Sequence, residues 1–165
     1  MTVTIERESE IPLPFSEQEV AEAVISETLD YEDCPYEVQV NIILTSNDEI
    51  QQINLEQRGV DAPTDVLSFP MIEYAYPSDF TVLEADGMSC FEPETGELIL
   101  GDIVISVDKV IEQAEKYNHG VKREYAFLIA HSMLHLFGYD HMDEVERENM
   151  ELRQDEILNR LGITR

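Results

Sequence analysis

Apolar and polar positions change period several times along the 165-residue chain, and each change marks an element. Alternation over residues 2–7 predicts a half-buried strand, and over 16–29, after Pro12 and Pro14, apolar residues recur at helical spacing. Residues 36–44 are rich in β-branched and aromatic side chains with partial alternation, and Thr45-Ser46-Asn47 stops them. Ser46 with Glu49 three positions on is a capping box, predicting a helix that carries Ile50, Ile53 and Leu55 and ends near Arg58-Gly59. The short run Thr64-Asp65-Val66-Leu67-Ser68-Phe69-Pro70 predicts a third strand. Residues 98–107, interrupted by Gly101-Asp102, predict a fourth. Ser106 can cap a helix over 107–118, and two further helices are predicted over 121–137 and 143–161, the last ended by Gly162.

The resulting order β-α-β-α-β-β-α-α-α does not alternate strand and helix regularly, which points to an α+β fold rather than a doubly wound sheet. The expectation is a mixed sheet of about four strands packed with about five helices. Length and an apolar content of 43% suit one domain over 1–165 with a single core. Residues 71–97 stand apart, with seven carboxylates, no basic residue, Pro77, Gly87, Pro93 and Gly96. That composition predicts a long exposed acidic loop or a hairpin excursion, flexible in either case. No stretch has the apolar length of a membrane span, and the first residues lack a basic start followed by an apolar run. A soluble, cytoplasmic protein without a membrane partner is therefore expected. Cys34 and Cys90 form no Cys-x-x-Cys pair and read as free thiols.

Charge narrows the function. Thirty-six acidic against ten basic residues give a net charge of −26, which argues against generic polyanion binding. Any nucleic-acid role must rest on local charge. Lys109, Lys116, Lys122 and Arg123 gather in one stretch, whereas between residues 8 and 108 Arg58 is the lone cation. By composition alone Arg58 is a surface arginine paired with one of many carboxylates.

Three of the four histidines, His131, His135 and His141, fall within eleven residues. On a helix the first two share a face with Cβ atoms about 5–6 Å apart. Gly138 can end that helix in the left-handed conformation and let the chain return with His141. A single histidine on an apolar helix is ordinarily a packed core residue; three around a glycine stop suit zinc, one ion per chain, with a fourth position open for water. Tyr125, Leu128, Ile129, Leu134 and Phe137 leave this helix little polar surface, so the metal site is expected on a buried central helix.

Zinc with an open position makes hydrolysis the default chemistry. The spacing His-x3-His-x2-Gly-x2-His matches the metzincin peptidase signature, but that signature places glutamate after its first histidine as general base. Here the position holds Ser132, which has no basic partner in sequence and cannot accept a water proton near neutral pH. A metallopeptidase is thus the second reading.

The run His131-Ser132-Met133-Leu134-His135-Leu136-Phe137-Gly138-Tyr139-Asp140-His141 is similar to the His-Gly-x-Leu-His-Leu-x-Gly-Tyr-Asp-His signature of the bacterial YbeY family, rRNA maturation factors and endoribonucleases. Two other segments resemble that family's motifs: Asn54-Leu55 through Arg58 and on to Pro70, and Gly101-Asp102-Ile103-Val104-Ile105-Ser106. The resemblance runs from about residue 40 to the C-terminus. It implies zinc held by His131, His135 and His141, and cleavage of single-stranded RNA in 16S rRNA maturation and ribosome quality control. The ribosome or ribosomal proteins are the implied partners. It also makes Arg58 a catalytic residue of the same cleft, holding a phosphate or stabilising charge on it. Asp140 then either orients an imidazole or the metal's water, or is a plain turn residue, and Asp65 and Asp102 are expected to be structural. Two departures are visible: Ser132 replaces the family's usual glycine, and the 71–97 excursion is long. Docking of RNA would fall to a partner or to a basic rim formed by Lys109 to Arg123. A third reading is a non-catalytic ribosome assembly factor with a structural metal.

Overall fold

Helix starts in this chain are set by short polar side chains. Ser16, Ser46, Ser106 and Asp143 each accept a hydrogen bond from the backbone N–H three residues on, satisfying a donor that the first turn leaves unpaired. The computed structural model describes residues 1–83 and 90–163. Its order is β1 (Thr2–Arg7), α1 (Glu17–Tyr31), β2 (Val38–Thr45), α2 (Asn47–Arg58), β3 (Val66–Pro70), β4 (Leu98–Ser106), α3 (Val107–Lys116), α4 (Val121–Leu136) and α5 (Glu144–Arg160). The α+β architecture, the four-stranded mixed sheet and the five helices are as the pattern predicts.

The sheet order is β1-β2-β4-β3, with β1, β2 and β4 parallel and β3 antiparallel at the edge. The expected break at Gly101-Asp102 is a bulge within a continuous strand: Gln39 faces Ile99 and Val40 faces Gly101, so Leu100 has no opposite residue. Gly101 has φ +151°, and a Cβ there would press on the Phe69 carbonyl and lie 2.9 Å from Cδ2 of Leu136. Only glycine lets β3, β4 and α4 approach this closely.

Side chains on the two faces of β2 enter different clusters. Val38, Val40, Ile42 and Leu44 join the large core, which includes Val24 and Ile25 of α1 and most of α4. Ile43 faces the other way, into a small cluster with Ile50, Ile53, Leu67, Phe69 and Val104 that seats α2. Helices α2 and α4 therefore lie on opposite faces of the sheet.

The excursion differs from expectation. In its described part Ile72, Asp79 and Leu83 are buried, and the Ser78 N–H donates to the Phe137 carbonyl at 2.8 Å. Phe80 meets Phe137 and Tyr74 edge-on, and Tyr74 lies against Gly138. Residues 71–83 thus cover the C-terminal end of α4. Carboxylate density suggested solvent, but the interspersed Ile72, Tyr74, Phe80 and Leu83 decide the outcome, because each gains by leaving water. Residues 84–89 of the expected excursion lie outside the described residues. Cys34 and Cys90 are free, and among the described residues no helix is long and apolar enough to cross a membrane.

Candidate metal centre

Helix α4 is buried along nearly its whole length, which fixes the backbone beneath two of the three histidines. Gly138, at φ +95°, ends it and turns the chain so that His141 returns over the first two imidazoles. One nitrogen from each of His131, His135 and His141 lies within 4.8 Å of the others. Nε2 of His131 and Nε2 of His135 are 3.1 Å apart, and the His141 ring stands 5.5 Å from that of His131 and 5.0 Å from that of His135. The cluster could hold a metal ion: three convergent nitrogen donors suit a tetrahedral cation with one position left open.

Each imidazole on α4 is oriented from behind. Nδ1 of His135 donates to the Tyr139 carbonyl at 2.9 Å. A carbonyl only accepts, so the proton sits on Nδ1 and Nε2 presents its lone pair to the centre. Nδ1 of His131 meets the side-chain amide of Gln154, which is 1% exposed. An amide offers a donor or, after a half turn, an acceptor, so Gln154 serves His131 with or without a cation. Burial, and then the neighbouring charges of His135 and His141, push the His131 pKa down to about 3. Burial also lowers that of His135, against the opposing pull of the Tyr139 carbonyl. Both rings are therefore neutral near pH 7, the state in which an imidazole ligates.

The loop that presents His141 is itself anchored. Arg153 pairs at 2.7 Å with Glu32, whose side chain is 1% exposed, and its guanidinium lies 4.8 Å from the Tyr139 ring centre. Ser78 also donates to Glu32, at 2.7 Å. Asp140 accepts from the His141 N–H at 2.8 Å, the geometry of a turn aspartate. Asp102 accepts from Asn41 across the sheet, and Asp65 accepts from the Val66 N–H, both structural contacts.

The three histidines open onto a cleft of about 620 Å³ over the edge strand β3, and Arg58, Asp65, Ser68 and Asp140 also line it. Arg58 reaches it from the C-terminal end of α2, around that edge. Its exposed guanidinium donates to Oδ1 of Asn54 at 3.4 Å, and the buried Asn54 is tied by its amide to the Ala62 carbonyl at 2.9 Å. All four sequence-predicted site residues thus meet at one cleft. Ser132 does not line it; fully buried, its hydroxyl meets that of Ser68. Of the expected basic rim, none of Lys109, Lys116, Lys122 and Arg123 lines this cleft. Lys109 pairs with Glu112 at 3.4 Å, Lys116 lies over Tyr117, and Arg123 is 7% exposed and 3.8 Å from Asp155. Two of these cations, Lys109 and Arg123, are thus paired with carboxylates.

Sequence reasoning missed Gln154. The signal was there: it shares the buried face of α5 with Met150, Ile157 and Leu158, a glutamine in an apolar register.

Fold and histidine cluster together define a candidate mononuclear metal centre on an α+β scaffold. Compared with known proteins, residues 3–162 match the family described as Endoribonuclease YbeY, and the chain belongs to that family. It is 56% identical over 165 residues to the Endoribonuclease YbeY of Lachnoclostridium phytofermentans and, over the same length, 56% identical to that of Agathobacter rectalis, with both chains fully covered in each case. That of Clostridium perfringens is 44% identical over 150 residues, covering 90% of this chain and 86% of its own. A solution structure of a Thermotoga maritima protein shares the fold, with a TM-score of 0.55 and 24% identity over 98% of this chain and 92% of that one.

Proposed function

We propose that this protein is a zinc-dependent endoribonuclease that cuts single-stranded RNA in 16S rRNA maturation and ribosome quality control in the cytoplasm. His131, His135 and His141 hold the ion, and Arg58 is the catalytic cation that binds the phosphate. The observation that carries this reading is the place of Arg58: the lone cation between residues 8 and 108 lines the same cleft as the three histidines. Zinc bound there supplies Lewis-acid and water-activating chemistry. Arg58 offers a planar fork that matches two phosphate oxygens and stabilises charge that develops on them. The Tyr139 carbonyl and Gln154 fix the imidazoles, so the ligands need no rearrangement when the substrate arrives.

Buried Ser132 leaves no base beside the first histidine, which speaks against the peptidase reading. Three protein ligands beside an open cleft speak against a purely structural metal, whose coordination is normally closed. With a charge of −26 and none of the cations from Lys109 to Arg123 lining the cleft, contacts to the ribosome or its proteins bring the RNA there. The test is elemental analysis together with cleavage of an unstructured oligoribonucleotide. About one zinc per chain and chelator-sensitive cutting are expected, and retained cutting after His131→Ala with His135→Ala would contradict the reading.

A further inference from the structure

We propose that a hollow beside the cleft is a nucleobase subsite that seats the base of a nucleotide next to the bond to be cut; this rests on the endoribonuclease reading. Three hollows adjoin along one face of α4. Beyond the cleft, a second of about 360 Å³ is lined by His131, His141, Phe127 and Gln154, and a third of about 260 Å³ by Tyr117, His119, Glu124 and Phe127. Asp65 lines all three. Positions 123, 127, 131 and 135 follow one another at four-residue spacing and so share a helix face. The Phe127 ring lies 6.4 Å from that of His131, nearly parallel to it, which puts the third hollow within a nucleotide's reach of the metal centre.

The lining of the third hollow selects its ligand. The carboxylates of Asp65 and Glu124 turn a phosphate away, and the Arg123 guanidinium is engaged by Asp155 and the Phe127 face. A flat, uncharged ring fits against the exposed Tyr117, the way unpaired bases are held on aromatic side chains, while the faces of Phe127 belong to Arg123 and His131.

The hydrogen-bonding inventory leaves two atoms over. Glu124 accepts from the Gln113 amide at 2.7 Å and contacts Nε2 of His119 at 2.5 Å. Of the two His119 ring nitrogens this leaves Nδ1. That atom is buried, in a side chain 6% exposed, and has no hydrogen-bond partner among the described residues. Buried polar atoms are normally paired, and one left over at a hollow marks a place for a ligand's complement. Oδ2 of Asp65 has Gln113 at 3.4 Å, a long contact that leaves capacity for another donor. The ligand must therefore bring an N–H for Asp65 and a polar atom for Nδ1 of His119, as the edge of an unpaired base does. A base can enter only when unpaired and unstacked, which gives single-strand preference a structural cause.

The test uses the zinc-loaded protein and 2′-O-methyl hexanucleotides, checked to be intact after each titration, with one position at a time made abasic. Removal of the base at one position should weaken binding about ten-fold, in the range of one base stacked on an aromatic side chain. Tyr117→Ala, at an exposed site where folding is not at stake, should cause a similar loss, and the two losses should not add. Equal binding of every abasic hexamer, or full additivity with Tyr117→Ala, overturns the subsite. The ribose versions separate the two readings. Hexamers that show the abasic effect but are never cut sustain the subsite and refute the nuclease; hexamers that are cut with no abasic effect do the reverse.

Discussion

Helix α4 and the end of α2 supply the two halves of the cleft, and they are built in opposite ways. Helix α4 carries His131 and His135 from inside the core, with both Nδ1 atoms held by buried groups. Helix α2 lies on the other face of the sheet, over a cluster of three buried residues, and delivers Arg58 at its exposed last turn. On the proposed function the difference follows from what each half must do. Ligands to an ion need fixed positions, which packing provides, whereas a guanidinium that meets a flexible polyanion gains from exposure and loses little by moving. Between them lies the edge strand β3, antiparallel to β4 and brought close to α4 by Gly101.

Substitutions on the two halves should therefore separate. His131→Ala attacks the rigid half: zinc content should fall toward zero and RNA cleavage by at least a thousand-fold, while circular dichroism keeps its helical signal. Arg58→Ala attacks the exposed half. Zinc should stay at one per chain while kcat/KM drops about a hundred-fold, the usual worth of one charge-stabilising donor. Arg58→Lys should recover only part of this, since an ammonium lacks the fork. Gln154→Leu belongs to the rigid half although it touches no substrate; zinc affinity should weaken about ten- to a hundred-fold in a competition titration. Loss of cleavage at saturating zinc with affinity unchanged would remove Gln154 from its orienting role. The smallest effect is expected for Ser132→Gly. It deletes a buried hydroxyl bonded to Ser68 and puts glycine mid-helix, so stability in urea should fall by about 1 kcal/mol with cleavage unchanged.

The two halves were also unequally legible in the sequence. His131 and His135 could be read because the helical period places i and i+4 together, and the positive φ of Gly138 explains how His141 joins them. Arg58 stood out only by the scarcity of cations. Nothing in the residues themselves said that the end of α2 rounds the sheet edge to meet α4, since that depends on β3 lying at the edge, and only the family resemblance joined Arg58 to the histidines. Gln154 went unread because amphipathic patterning counts apolar positions and passes over a polar one among them. The excursion was misread, and the Lys109 to Arg123 stretch weighed too heavily, for one shared reason: formal charge counts ignore partners. Carboxylates around Ile72, Phe80 and Leu83 did not keep those side chains in water, and Lys109 and Arg123 were taken up by Glu112 and Asp155.

The central claim is that three histidines and one distant arginine act on the same phosphodiester. It is tested most directly by measuring zinc per chain and the rate of cutting of one unstructured oligoribonucleotide for the wild type and Arg58→Ala side by side. Equal zinc with cleavage reduced about a hundred-fold is the predicted result; equal zinc with equal cleavage would contradict it.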